Sequence, residues 1–126
     1  MDLTPLIPQG RQIVESYGEG RFRVSGALHE CSILVFPDRT LAWAVTDIRS
    51  LSLESLEPVV AAGESGAISL LLIGCGPRMA MIPAALRASL RAKGIVIEPM
   101  DTGAACRTYN VLAAEGRKVA AALVVV

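Results

Sequence analysis

The chemically varied stretch of this chain runs from Met100 to Arg117, MDTGAACRTYNVLAAEGR. Within one turn-and-helix unit it holds an acid, a thiol, an arginine, a phenol and an amide: Asp101, Cys106, Arg107, Tyr109 and Asn110. Such a mixture can bind an anion, activate a nucleophile or dock a partner, and each option makes its own demand on spacing. Cys106 stands a full turn inside the helix start, where a small buried cysteine is more often inert than an activated thiolate. Asp101 directly precedes the helical pattern, where an aspartate oxygen caps the first amides, and capping accounts for it without catalysis.

Elsewhere the catalytic vocabulary is thin. His29 is the single histidine, placed at an expected turn between strands, and no Ser–His–Asp or Cys–His order can be built around it. Cys31, Cys75 and Cys106 form no CxxC pair and, with His29, match no common zinc spacing. No catalytic residue, metal or cofactor is therefore expected. A second cluster lies in GCGPRMAMI, Gly74 to Ile82, where two glycines can turn the backbone sharply and offer N–H groups to an anion beside Arg78. The motif is short of a dinucleotide fingerprint, because Met79 stands where a third glycine would be required, and no GK[ST] follows for a P-loop. A tight turn followed by an apolar loop on the helices explains the same residues.

The elements that must position these residues follow from composition and pattern. The chain has 126 residues, 52% hydrophobic and 19% charged, with twelve basic and twelve acidic side chains. That balance removes the electrostatic footprint of a nucleic-acid binder. The mean hydropathy of +0.50 points to strands buried on both faces or to a covered interface. The longest apolar run, Val119 to Val126, is far below the roughly 18 residues a membrane helix needs. The opening MDLTPLIPQGRQ, acidic at position 2 and carrying two prolines, is not expected to be a signal peptide, and the odd, unpaired cysteines suit a reducing cytoplasm.

One domain over residues 1–126 is expected. Its first half reads as β-hairpins: Gln12–Tyr17, Arg21–Ser25, Ser32–Phe36 and Leu41–Val45, with turns at Gly18–Gly20 and Pro37-Asp38-Arg39. Leu51–Ala62 reads as a short helix with Pro58 inside it. The second half reads βαβαβ: strand Ala67–Ile73, helix Pro83–Lys93 stopped by Gly94, strand Ile95–Glu98, helix Thr102–Glu115 stopped by Gly116, and strand Val119–Val126. The two strands joined by the first helix should be parallel, and the apolar C-terminal strand should lie inside the sheet rather than at its edge. The fold class is thus α/β, a three-layer arrangement around a central mixed sheet.

In such a fold the loops leaving parallel strands lie side by side, here Gly74–Ile82 and Pro99–Asp101, and ligands favour that edge. Sorting the last helix at about 100° per residue puts Ala104, Ala105, Thr108, Val111 and Leu112 against the sheet, with the Thr108 hydroxyl bonding back to the Ala104 carbonyl. Thr102, Cys106, Tyr109 and Ala113 then form a flank, with the tyrosine ring half-buried, and Arg107, Asn110 and Ala114 point away from the core. The candidate surface accordingly comprises Gly74, Gly76, Arg78, Asp101, Arg107, Tyr109 and Asn110.

The chain resembles a family of small uncharacterised domains that includes the mitochondrial complex I (NADH:ubiquinone oxidoreductase) assembly factor 3 and an adipogenesis-associated protein. The resemblance runs through Ile13, Tyr17-Gly18, Phe22–Gly26, the Ile33–Pro37 strand, Trp43 and Leu71–Gly76, and is strongest over GIVIEPMDTGAACRTYNVLAAEGR. It implies a three-layer α/β fold with a mixed sheet, no established catalytic residues, and a link to assembly of the respiratory NADH:quinone oxidoreductase. With no mitochondrial presequence in the reading, that work is expected in a prokaryotic-type cytoplasm. The function expected is a non-enzymatic binding or assembly role, with respiratory-complex subunits or a second copy of the chain as partners. The alternative is a small anionic-ligand binder or enzyme built on Gly74, Gly76, Arg78 and Arg107.

Overall fold

The computed structural model of the chain describes residues 10–126, so most of the segment read as no signal peptide lies outside the described residues. Among the described residues eight strands and three α-helices follow one another: β1 (Val14–Gly18), β2 (Arg21–Val24), β3 (Ala27–His29), β4 (Ile33–Val35), β5 (Thr40–Ala42), α1 (Glu57–Glu64), β6 (Leu70–Gly74), α2 (Ala84–Ala92), β7 (Val96–Met100), α3 (Thr102–Ala114) and β8 (Val119–Leu123). The strands form two sheets. β1-β2-β3 is a small antiparallel meander; the other five run in the order β5-β4-β8-β6-β7.

The meander is built by two hairpins whose two-residue turns, Glu19-Gly20 and Ser25-Gly26, all have positive φ. That is the primed turn geometry whose twist matches paired strands. The second turn creates β3, a strand absent from the sequence reading because Ala27–His29 carries no β-branched residue.

In the large sheet β6 pairs in parallel with both β7 and β8, whereas β4 runs antiparallel to β5 and β8. The sheet is mixed, and β8 sits near its middle as its apolar composition demanded. Every residue of β8 is buried. Alternation divides its side chains between two cores. Val119, Ala121 and Leu123 face one side with Ile33, Val35 and Leu72. Ala120, Ala122 and Val124 face the other with Leu34, Phe36, Leu71 and Ile73.

Three layers result. On one face lie α1, α2 and the Trp43–Leu56 segment, whose Trp43, Leu56, Val59, Leu86 and Leu90 are buried against the sheet. On the other, α3 covers β6 and β8 while Phe22 and Val24 of the meander complete the same core. Pro58 does not interrupt a helix. It occupies the first turn of α1, where its missing N–H costs nothing, and short 3-10 turns at Ile48–Ser50 and Glu54–Leu56 precede it.

Candidate functional site

The carboxyl edge of the parallel strands is where the chain brings its loops together, and one hydroxyl ties them. Thr102 is fully buried at the first position of α3. Its Oγ1 donates to the Val124 carbonyl at 2.7 Å and accepts the Gly76 N–H at 2.9 Å. Its own N–H donates to the Gly76 carbonyl at 2.8 Å, and the Cys75 N–H reaches the Met100 carbonyl at 2.8 Å. Three strand ends are thereby locked to one helix start. Gly74 is required by the same packing, since a Cβ there would stand 3.0 Å from both Thr102 Cα and Leu123 Cδ2.

Asp101 caps the helix: its Oδ1 accepts the Ala104 N–H at 2.9 Å. Gly74 and Gly76 are buried, and the Gly76 amide is spent on Thr102. Arg78 is exposed on the loop beyond and makes no hydrogen bond among the described residues.

α3 is rotated from the orientation its spacing suggested. Thr102, Ala105, Cys106, Tyr109 and Ala113 are its buried residues, whereas Val111 is 58% exposed. Thr108 is half-buried, without a hydrogen bond to the Ala104 carbonyl among the described residues. The flank has become the core face because an alanine-rich helix has no dominant apolar stripe, and the large Tyr109 ring takes the interior. That ring is not half-buried but fully enclosed, and its hydroxyl donates to the Phe36 carbonyl at 3.3 Å.

Nor is Asn110 a solvated position. Its Nδ2 donates to the Val14 carbonyl at 2.7 Å and its Oδ1 accepts the Val14 N–H at 2.9 Å, fastening β1 along α3. Arg107 is exposed and donates to the Tyr17 hydroxyl at 2.6 Å. Tyr17 lies over Gly103, where an added Cβ would approach its hydroxyl to 2.7 Å. Of the seven candidates, then, Gly74, Gly76 and Asp101 converge at one knot; Arg107 and Asn110 serve the seam with β1; Tyr109 is core; Arg78 stands apart on its loop. Thr102 and Tyr17 were missed. The signal for Thr102 was its place immediately after the capping aspartate; Tyr17 carried none, because its partners are some 90 residues away.

The thiols are poor nucleophiles here. Burial pushes the Cys106 thiol up from 9.0 to about 12, only partly offset by Arg107, and burial likewise raises Cys75. Among the described residues no three of His, Cys, Asp and Glu come together as metal ligands would. Beside the exposed Arg78, the edge presents two apolar side chains: Met79 is 57% and Met81 87% exposed on the loop after β6. Met81 borders a hollow of about 250 Å³ with Ile48, Arg49, Leu51, Ala80, Ile82 and Pro83.

Comparison with known proteins agrees with this architecture. The family model described as "Protein of unknown function (DUF498/DUF598)" matches residues 14–124. An uncharacterised protein of Rhodobacter capsulatus is 38% identical over 110 residues, covering 87% of this chain and 82% of that one. NADH dehydrogenase (ubiquinone) 1 alpha subcomplex assembly factor 3 of Xenopus tropicalis is 32% identical over 111 residues, covering 88% of this chain but 60% of the assembly factor. Among solved structures, an outer membrane protein from Bartonella henselae superposes with a TM-score of 0.85 at 37% identity, covering 92% of this chain and 96% of that one. A Mth938-like domain from Bordetella pertussis does so with a TM-score of 0.83 at 27% identity, covering 98% of this chain and 92% of that one. The chain belongs to the DUF498/DUF598 family and has the α/β fold of the Mth938-like domains.

Proposed function

We propose that this chain is a non-enzymatic binding and assembly protein that works in the cytoplasm on subunits of the respiratory NADH dehydrogenase. The observation that carries the reading is the pair of exposed methionines, Met79 and Met81, at the edge where Thr102 locks three strand ends into a rigid base. Methionine is flexible and polarisable, and suits a surface that must adapt to another protein. Buried polar groups nearby are already committed to structural hydrogen bonds, and the neighbouring thiols are held protonated. The named relatives that match are assembly factors of that dehydrogenase, although the chain spans about 60% of their length. No described helix is long and apolar enough to cross a membrane.

The test is genetic. A strain lacking this protein should lose assembled NADH:quinone oxidoreductase, regain it with the wild-type chain, and fail to regain it with a folded M79D/M81D variant. Normal assembly in the deletion strain, or full rescue by the variant, would overturn the proposal. The competing anion-binding reading has weaker support, because the Gly76 amide is taken by Thr102 and Arg107 by Tyr17. A thermal shift with phosphate that disappears in R78A would favour it instead.

A further inference from the structure

The loop that carries Met79 and Met81 is also where the chain exposes its sulfur. Among the described residues these two are the sulfur-bearing side chains that stand open to solvent. Cys75 and Cys106 are buried and Cys31 is half-buried. Met100 is half-buried too, packed against the core beneath α3. The loop holds its pair outward by alternation. Met79 and Met81 are exposed, whereas Ala80 packs on the core of the α1 and α2 face and Ile82 is buried in it. Anchoring every second residue keeps the side chains between them in water.

Exposure of this kind is what a thioether needs in order to react. A thiol must first shed its proton to become a nucleophile. Thioether sulfur attacks with a lone pair it always carries, so access alone governs it. Burial raises the Cys75 and Cys106 thiols and shields them, which withdraws two of the groups that an oxidant would otherwise meet first. The exposed methionines are left as the accessible sulfurs of the molecule's described part.

We infer that Met79 and Met81 are modification sites at which hydrogen peroxide switches this edge off. The inference rests on the assembly reading of the same surface and supplies its regulation. In each step a methionine sulfur attacks one peroxide oxygen; an S–O bond forms and the O–O bond breaks. The departing hydroxide takes the proton left on the transferred oxygen and leaves as water. Sulfur loses two electrons and the peroxide gains them, so each methionine consumes one peroxide. The product is a sulfoxide, polar and chiral where the thioether was apolar and adaptable. Met81 borders the hollow lined by Ile48, Leu51 and Ile82. A partner seated there presses the sulfoxide oxygen against apolar side chains, and its lost hydration opposes binding. Neither methionine belongs to the buried clusters, so oxidation spares the packing that holds the fold.

The experiment treats the tagged full chain with hydrogen peroxide, removes the oxidant, and maps oxidation by peptide mass spectrometry. Met81 should convert first, Met79 next and Met100 last, with the urea midpoint unmoved. The same samples are then offered to lysate of the deletion strain, and the recovered subunits of the NADH dehydrogenase are quantified. Recovery should fall about tenfold as the pair converts, the effect of burying an unpaired polar group. Methionine sulfoxide reductases acting on both epimers should restore it. C31S should lose recovery just as the native chain does. Conversion of Met100 ahead of Met81, a loss that vanishes in C31S, a loss the reductases leave in place, or full recovery with both methionines converted would overturn the switch and leave the assembly reading standing. An untreated chain that recovers none of those subunits would overturn the assembly reading, and the switch with it.

Discussion

The side-chain amide of Asn110 grips the backbone of Val14 from both sides, donating to its carbonyl at 2.7 Å and accepting its N–H at 2.9 Å. The amide thus stands in for a neighbouring strand at the edge of the meander. Among the described residues β1 has a strand partner on one side only, β2, and the helix meets its other side through the Asn110 amide. With Tyr17 lying over Gly103 and bonded to Arg107, the seam runs along one side of α3.

Replacing Asn110 by alanine strands a partly buried donor and acceptor together. We expect N110A to lose about 2–3 kcal/mol in urea unfolding, the usual cost of leaving such groups unpaired. The Val14 amide should exchange with deuterium far faster in the variant. Unchanged exchange at Val14 would refute the clamp.

T102V keeps the shape of the side chain and removes its hydroxyl. The Gly76 N–H and the Val124 carbonyl then lose their partner in the interior, at a cost of about 2–4 kcal/mol. G74A should cost about 1–3 kcal/mol at the same knot through overpacking, because the new methyl meets the Thr102 backbone. Both effects are measured by chemical denaturation.

Thiol accessibility separates the three cysteines. Cys31 is half-buried, while Cys75 and Cys106 are buried. A maleimide at about pH 8 should modify Cys31 in the native protein, and the other two only after unfolding, since reactivity needs an accessible thiolate. Rapid labelling of Cys106 in the native state would contradict its burial on the core-facing side of α3.

Alkaline pH should destabilise the fold, with a sign that follows from proton linkage. Burial holds the Cys106 thiol protonated up to about 12, against 9.0 for the ordinary thiol, and the Tyr109 phenol up to about 12, against 10.0. Between pH 9 and 12 the unfolded chain therefore sheds protons that the folded chain keeps. The stability these neutral groups contribute is fully present below pH 9 and is lost as pH rises through that window. Urea midpoints should fall over that range, and less steeply in C106A.

Much of this architecture is legible in local sequence, because its causes are local. Asp101 caps α3, Gly94 and Gly116 adopt the positive φ that ends a helix, and Pro83 stands at the start of α2. The run from Val119 could only be a covered strand, and β8 lies between β4 and β6. The parallel pairing of β6 and β7 followed from the helix between them. Even Thr102, once α3 begins at that position, is an obvious residue to ask about.

What the tertiary structure alone decided is which way α3 faces and what meets its sides. Helical spacing fixes which residues share a face, but not which face wins. In an alanine-rich helix the apolar differences between faces are small, so the choice falls to the largest side chain and to the neighbours available to cover each flank. Tyr109 took the interior because the sheet, with the small Ala121 on the face turned to α3, left room beneath the helix. Val111 was left outside, and Asn110 and Arg107 met a strand about 90 residues distant. Contacts between segments so far apart leave no periodic trace in sequence, because each depends on geometry that exists only once the layers have closed.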